Sequence, residues 1–324
     1  MSAETKGEQK GLAATSGASA EHPAATAKGG ASARGPAAVK TAATAVKLGT
    51  YAKNTWCPGC GNFAILNAIK SVFQDLITGG TRREDLVVVA DIGCSSKIMD
   101  YIGVNSFDSL HGRAIPTAVG VKLANPELTV VVHVGDGGAY AEGLEHLVFA
   151  AQRNADITVI VHDNGVYGLT IGQAGPMTPP GYKGRSTPYG SESTPFNPLE
   201  LLHVAGATWL GRGYTHGIPL LKKLYREAID HRGFSLVDTL QVCVTFRNMY
   251  EYYNERVYEL EGHDPRDEAA ALEKIREWDY VSDGPVALGT FLERERPVFA
   301  EGFAAYGGGI DVETAVAEVF AELT

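Results

Sequence analysis

From Lys47 onward the apolar positions follow two spacings. "NFAILNAIKSVFQDL" repeats them at three- and four-residue intervals and predicts a helix opening just after Gly61. "DLVVVADIG", "LTVVVHVGDGG" and "ITVIVHDNG" are short β-branched runs ending in glycine-rich loops, the pattern of buried strands. Between the last two, "YAEGLEHLVFAAQRN" predicts a helix. "FSLVDTLQVCV" supplies a later strand, and "DPRDEAAALEKIREW" a helix with Asp264 as N-cap and Pro265 at its first position. Continuously apolar strands that alternate with amphipathic helices are covered on both faces. The expected fold class is therefore α/β, a parallel sheet sandwiched by helices, with no internal repeat.

Residues 1–46 break this pattern. They are rich in Ala, Gly, Ser and Thr, lack aromatics, and show no steady apolar period. Such a segment buries too little surface to offset its ordering entropy, and is expected to be a flexible arm. Glu4, Glu8 and Glu21 interrupt the basic bias of a transit peptide, and a wrap over a partner subunit is the minor alternative.

Composition narrows the function classes. Across 324 residues the net charge is −10, which argues against a general nucleic-acid binder but leaves small anionic substrates open. No apolar run is long enough for a membrane span. No signal-type apolar core stands near the start, so a reducing cytoplasm, with few structural disulfides, is expected.

The chemistry concentrates between Leu128 and Asn164. Asp136 follows one predicted strand and Asn164 the next, 28 residues later, about one helix plus one strand. Both side chains can therefore meet at the carboxyl edge of the sheet, where ligands of open α/β folds gather. A carboxylate, an amide oxygen and a carbonyl make a hard oxygen set suited to Mg²⁺ shared with phosphate. Gly135, Gly137 and Gly138 allow a diphosphate to approach the backbone at a helix N-terminus. "GDGG" alone reads more readily as an ordinary Asp-capped turn; the paired Asn reverses that in favour of the metal.

Four cysteines complete the inventory: Cys57 and Cys60 in "TWCPGCGNF", Cys94, and Cys243. The pair alone fits a redox disulfide, half a zinc site or part of an iron–sulfur site. "VKLGTYAKNT" is a poor strand, which weakens the thioredoxin-like reading. Structural zinc usually arrives as two close pairs, unlike two lone cysteines far downstream. A four-thiolate cluster tolerates scattered spacing. Cys243, in the apolar run "LQVCVTF", also fits simple core packing.

The blocks "WCPGCGNF", "DIGCSSK", "LHGRAIPTAVGVKLANP" and "HVGDGGAYAEGLEHLVFAAQRNADITVIVHDNGVYGLTIGQAGPMTP" together resemble the β subunit of 2-oxoacid:ferredoxin oxidoreductases. "VTFRNMYEYYNERVYEL" extends the likeness more weakly. The resemblance implies a thiamine diphosphate-binding fold over residues 47–245, followed by an extension, 246–324, packing on that domain or on a partner. It implies Asp136, Asn164 and the main-chain oxygen of Val166 as Mg²⁺ ligands, and Gly135, Gly137, Gly138, Leu169 and Thr170 around the diphosphate. Gly93, Cys94, Ser95 and His111 would approach the thiazolium and pyrimidine, with Ser95 and His111 as catalytic candidates. A bland reading of His111 as a cap or core histidine also stands, as does pairing with a partner's carboxylate. Cys57, Cys60, Cys94 and Cys243 would hold a [4Fe–4S] cluster.

The implied reaction converts a 2-oxoacid, coenzyme A and oxidised ferredoxin to acyl-CoA, CO₂ and reduced ferredoxin. A separate α subunit, in an α₂β₂ heteromer, would supply the missing parts. Lys183 or Arg185, in "GPMTPPGYKGRSTPYG", could clamp the distal carboxylate of 2-oxoglutarate, or form a solvated loop. "TIGQAGPMTP" and "TFR" depart from the family's usual text and leave pyruvate or a branched substrate open. A cluster-free thiamine decarboxylase or synthase subunit is the alternative enzyme.

Overall fold

The computed structural model describes residues 46–302 together with Ala317, Phe320 and Ala321. The arm expected over 1–46 lies outside the described residues except for Val46, as does most of the extension after Gly302. Ten strands occur among the described residues. They are β1 (Leu86–Ala90), β2 (Asn105–Asp108), β3 (Thr129–Gly135), β4 (Thr158–Asp163), β5 (Val166–Tyr167), β6 (Gln173–Ala174), β7 (Trp209–Tyr214), β8 (Ser235–Leu240), β9 (Val257–Glu259) and β10 (Val286–Glu293). Eight of them form one sheet in the order β2-β1-β3-β4-β8-β7-β10-β9, and β5 pairs with β6 in a small hairpin. The six strands from β2 to β7 run parallel; β10 joins β7 antiparallel.

Side chains of a strand alternate between faces, and β1, β4, β7 and β8 are buried on both. Val87 and Val89 of β1 join the core built with α3 (Ala114–Ala124) and α4 (Leu144–Arg153). Leu86 and Val88 join the opposite core with α1 (Asn62–Thr78) and α6 (Ile218–Asp230). This two-sided burial explains why the strands read as unbroken apolar runs. No helix of the described residues is long and apolar enough to cross a membrane.

Three local expectations need correction. The helix expected from Tyr140 is divided: a π-helical turn over Gly138–Glu142 precedes α4, which starts after Gly143. A Cβ on Gly143 would lie 2.4 Å from the Gly138 carbonyl oxygen and 2.7 Å from that of Gly112, so two backbones meet there. The helix expected over "DPRDEAAALEKIREW" is α8 (Glu268–Ile275), capped by Asp267, whose side chain accepts from the amides of Ala269 and Ala270. Asp264 instead accepts from Arg266 in the preceding turn. Finally, β8 ends at Leu240, so Cys243 lies in the loop beyond the strand and not within it.

Candidate functional site

The carboxyl ends of β1, β3, β4 and β8, neighbours in the sheet, carry the loops Asp91–Ser95, Asp136–Gly138, Asn164–Thr170 and Gln241–Phe246. A cleft over the first three is lined by Gly93, Cys94, Ser95, His111, Gly135, Asp136, Gly137, Gly138, Asn164, Val166, Leu169 and Thr170, every candidate of the cofactor and Mg²⁺ sets. Asp136 is buried, and among the described residues its Oδ2 has no hydrogen-bond partner, while Oδ1 lies 3.5 Å from the Asn164 backbone nitrogen. Burial pushes this carboxyl above the usual carboxylate range, against the Asn164 hydrogen bond. An orphaned buried carboxylate oxygen is costly unless a cation meets it. Asn164 Oδ1 accepts from Val166 N at 3.0 Å, which turns the chain back over Asp136. These donors fit a small hard cation.

The glycines form a cradle for physical reasons. A Cβ on Gly138 would stand 1.8 Å from Asp91 Oδ2, and one on Gly137 would stand 2.2 Å from the Tyr167 ring. Asp91, not singled out from the sequence, is buried beneath this turn and accepts from Gly112 N at 3.3 Å. Its burial pushes the carboxyl up to about 7, only partly offset by the Gly112 bond.

At the mouth, His111 Nδ1 lies 3.3 Å from Glu142 Oε2, an ion-pair distance without hydrogen-bond alignment. Tyr167 donates its hydroxyl to Glu142 Oε1 at 2.9 Å. The carboxylate beside His111 therefore comes from this chain's own π-helical turn. Glu142 and Tyr167 escaped the sequence reading because nothing in their local text marks them.

The second cavity, of about 240 Å³, is lined by all four cysteines with Trp56, Lys97 and Gln241. Three backbone devices bring them together. Gly61 N donates to the Val242 carbonyl at 3.2 Å, and a Cβ on Gly61 would come within 2.9 Å of Val242 N. This docks the Cys57–Cys60 turn against the Cys243 loop. Trp56 Nε1 donates to the Cys94 carbonyl at 2.7 Å and ties the same turn to the loop after β1. Gly168 lies between Cys94 and Cys243: a Cβ there would be 3.8 and 3.7 Å from the two sulfurs.

All four cysteines are free. Burial pushes Cys60 up to about 11; the Asn62 backbone amide opposes this, and the three other cysteines reinforce it. Burial likewise raises Cys94, with Lys97 opposing. Thiols so placed ionise when a metal takes the sulfur. Among the described residues, no three His, Cys, Asp or Glu side chains converge closely enough to hold a single metal ion. Four sulfurs around an open cavity fit a polynuclear cluster better than a mononuclear zinc.

The two cavities share a wall: Cys94, Asn164, Gly168 and Leu169 line both. Lys183 and Arg185 are exposed in the loop beyond and line neither.

Comparison with known proteins identifies the family. Residues 91–239 match the C-terminal TPP-binding domain of thiamine pyrophosphate enzymes, and residues 243–307 match the C-terminal region of the pyruvate ferredoxin oxidoreductase beta subunit. The 2-oxoacid:ferredoxin oxidoreductase subunit beta of Saccharolobus solfataricus is 45% identical over 212 residues, 64% of this chain and 68% of that one. The 2-oxoglutarate synthase subunit KorB of Archaeoglobus fulgidus is 40% identical over 194 residues, 60% of this chain and 71% of that one. A solved 2-oxoglutarate:ferredoxin oxidoreductase from Magnetococcus marinus, with 2-oxoglutarate, coenzyme A and succinyl-CoA bound, superposes with a TM-score of 0.76 at 31% identity, covering 85% of this chain and 94% of that one. The chain belongs to the family of 2-oxoacid:ferredoxin oxidoreductase β subunits.

Proposed function

We propose that the chain is the thiamine-binding subunit of a CoA-dependent 2-oxoglutarate:ferredoxin oxidoreductase, completed by an α subunit in an α₂β₂ assembly. The carrying observation is the common wall of Cys94 and Gly168 between the cleft and the four-cysteine cavity. Thiamine diphosphate, when bound, supplies the electron sink for decarboxylation, and a [4Fe–4S] cluster supplies a one-electron outlet toward ferredoxin.

Asp136 and Asn164, with the Val166 carbonyl, would hold Mg²⁺, and Gly135, Gly137 and Gly138 would admit the diphosphate, flanked by Leu169 and Thr170. Gly93 and Ser95 line the cleft on the Cys94 side, where the reacting carbon must come close to the electron outlet. His111, held near Glu142, would move or donate a proton at the mouth. Cys57, Cys60, Cys94 and Cys243 would bind the iron. Lys183 or Arg185, outside both cavities in this structure, would have to reach in from their loop to meet a distal carboxylate, the feature that separates 2-oxoglutarate from pyruvate. The substrate named for the Magnetococcus enzyme supports this choice.

The test is anaerobic co-purification with the native α subunit, followed by iron and sulfide analysis and viologen reduction with and without coenzyme A. Faster reduction with 2-oxoglutarate than with pyruvate is expected. A preference for pyruvate would remove the substrate assignment, and a colourless protein that binds thiamine diphosphate would remove the cluster.

A further inference from the structure

His133 on β3 and His162 on β4 are fully buried on the sheet face covered by α1, and their rings meet at 2.9 Å, Nδ1 of the first to Nε2 of the second. His162 Nδ1 lies 2.8 Å from Asn62 Oδ1, and Asn62 Nδ2 donates to the Cys94 carbonyl at 3.3 Å. The proton positions along this chain follow from its end. A carbonyl oxygen only accepts, so the Asn62 atom facing it is the amide nitrogen, and the atom facing His162 is the amide oxygen. That oxygen also only accepts, so His162 carries its proton on Nδ1 and presents a bare Nε2. His133 must then donate from Nδ1, which leaves its own Nε2 bare. His133 Nε2 has no partner among the described residues, and a bare lone pair tolerates that better than an N–H would. Both rings are buried and, among the described residues, their nitrogens meet only each other and Asn62, so no nearby charge offsets the cost of an imidazolium and the pair is neutral.

Three hydrogen bonds therefore point one way, each donor directed toward Cys94, and chains of this kind polarise one another. Trp56 Nε1 donates to the same oxygen, so both lone pairs of the Cys94 carbonyl are engaged. We infer that the His133–His162 pair is a positioning element: through Asn62 it fixes the Cys94 loop in the wall between the two cavities and raises the reduction potential of the metal group held there. The inference rests on the proposed function for that metal group. Dipoles with their positive ends toward a cluster favour its reduced, more negative form.

The decisive experiment is an EPR-monitored redox titration of the holoenzyme in wild type, His162→Leu and His133→Phe, with iron and sulfide measured in each. His133→Phe keeps both direct donors to Cys94 and removes only the far end of the chain. The expected result is full iron content with a potential displaced negatively: up to a tenfold change in the redox equilibrium for His162→Leu, about 59 mV for a one-electron couple, and a smaller shift of the same sign for His133→Phe. Equal potentials at full iron content would overturn the inference and leave the cluster assignment standing. Iron absent from wild type would overturn the cluster assignment itself, and the potential with it.

A second measurement needs no iron. With ¹³C-carbonyl cysteine, the four labelled carbonyls of the full chain give an isotope-edited infrared spectrum. The lowest-frequency band should move upward in Asn62→Ala and His162→Leu; an unchanged spectrum would show that the pair does not act on Cys94.

Discussion

Asn164 donates its side-chain amide to Gln241 Oε1 at 2.8 Å, and Gln241 in turn points Nε2 at Cys60 Sγ, 3.5 Å away. One glutamine thus links the candidate Mg²⁺ ligand to the candidate cluster ligands. Outer partners of this kind orient metal ligands, and their loss commonly weakens metal affinity by about 10–100-fold. Gln241→Leu should lower Mg²⁺ affinity by at least about tenfold. Titrating Mg²⁺ against thiamine diphosphate binding measures this, and an unchanged affinity would separate the two sites.

Gly138→Ala should abolish thiamine diphosphate binding, because its methyl group would collide with the Asp91 carboxylate. Gly120→Ala is the control: among the described residues nothing outside its own helix lies within 4 Å of the added methyl in the middle of α3. That variant should gain about 0.4–1 kcal/mol of stability and bind the cofactor normally. Calorimetry and chemical denaturation read the two effects.

Asp91 makes stability depend on pH. Burial pushes its folded carboxyl up to about 7 from an ordinary 3.8, so between those values the folded state binds the extra proton. Its contribution therefore stands in full below about pH 4 and is lost as pH rises through 7, with a slope of up to about 1.4 kcal/mol per pH unit. Asp91→Asn, which mimics the neutral acid, should remove that slope from denaturation curves taken across the window.

Arg212 and Asp238 form a fully buried pair on β7 and β8, 3.3 Å apart, with Tyr140 and Tyr280 also donating to the carboxylate. The guanidinium lies over Trp278 and Phe291. Arg212→Met should cost about 3–5 kcal/mol by stranding the carboxylate, and adding Asp238→Leu should recover part of that loss. Urea denaturation of the two variants tests both halves.

The sheet was legible because strands buried on both faces leave unbroken β-branched runs, as in Val87–Val89 and Val130–Val132. The Asp136–Asn164 pairing was legible because one crossover separates adjacent parallel strands. Less visible was how Cys243 reaches Cys57 and Cys60, since that depends on the close backbone approach of Gly61 to Val242, a tertiary contact with no periodicity. The division of the helix at Gly143 and the pairing of His111 with Glu142 have the same origin. His133 and His162 carry no spacing that links them in the sequence; only the register that sets β3 beside β4 places their rings in contact. Trp56, next to Cys57 in the C-x-x-C stretch, spends its indole N–H on the Cys94 carbonyl.

The central claim is that the cofactor cleft and the cysteine cavity form one electron path across the Cys94 wall. The most direct test follows the visible absorbance of the anaerobic α–β holoenzyme after 2-oxoglutarate is added without external acceptor. Wild type should bleach, while Asp136→Ala should keep its iron and colour yet fail to bleach. Iron-loaded wild type that stays unbleached, or an Asp136→Ala variant that bleaches as readily, would contradict the account.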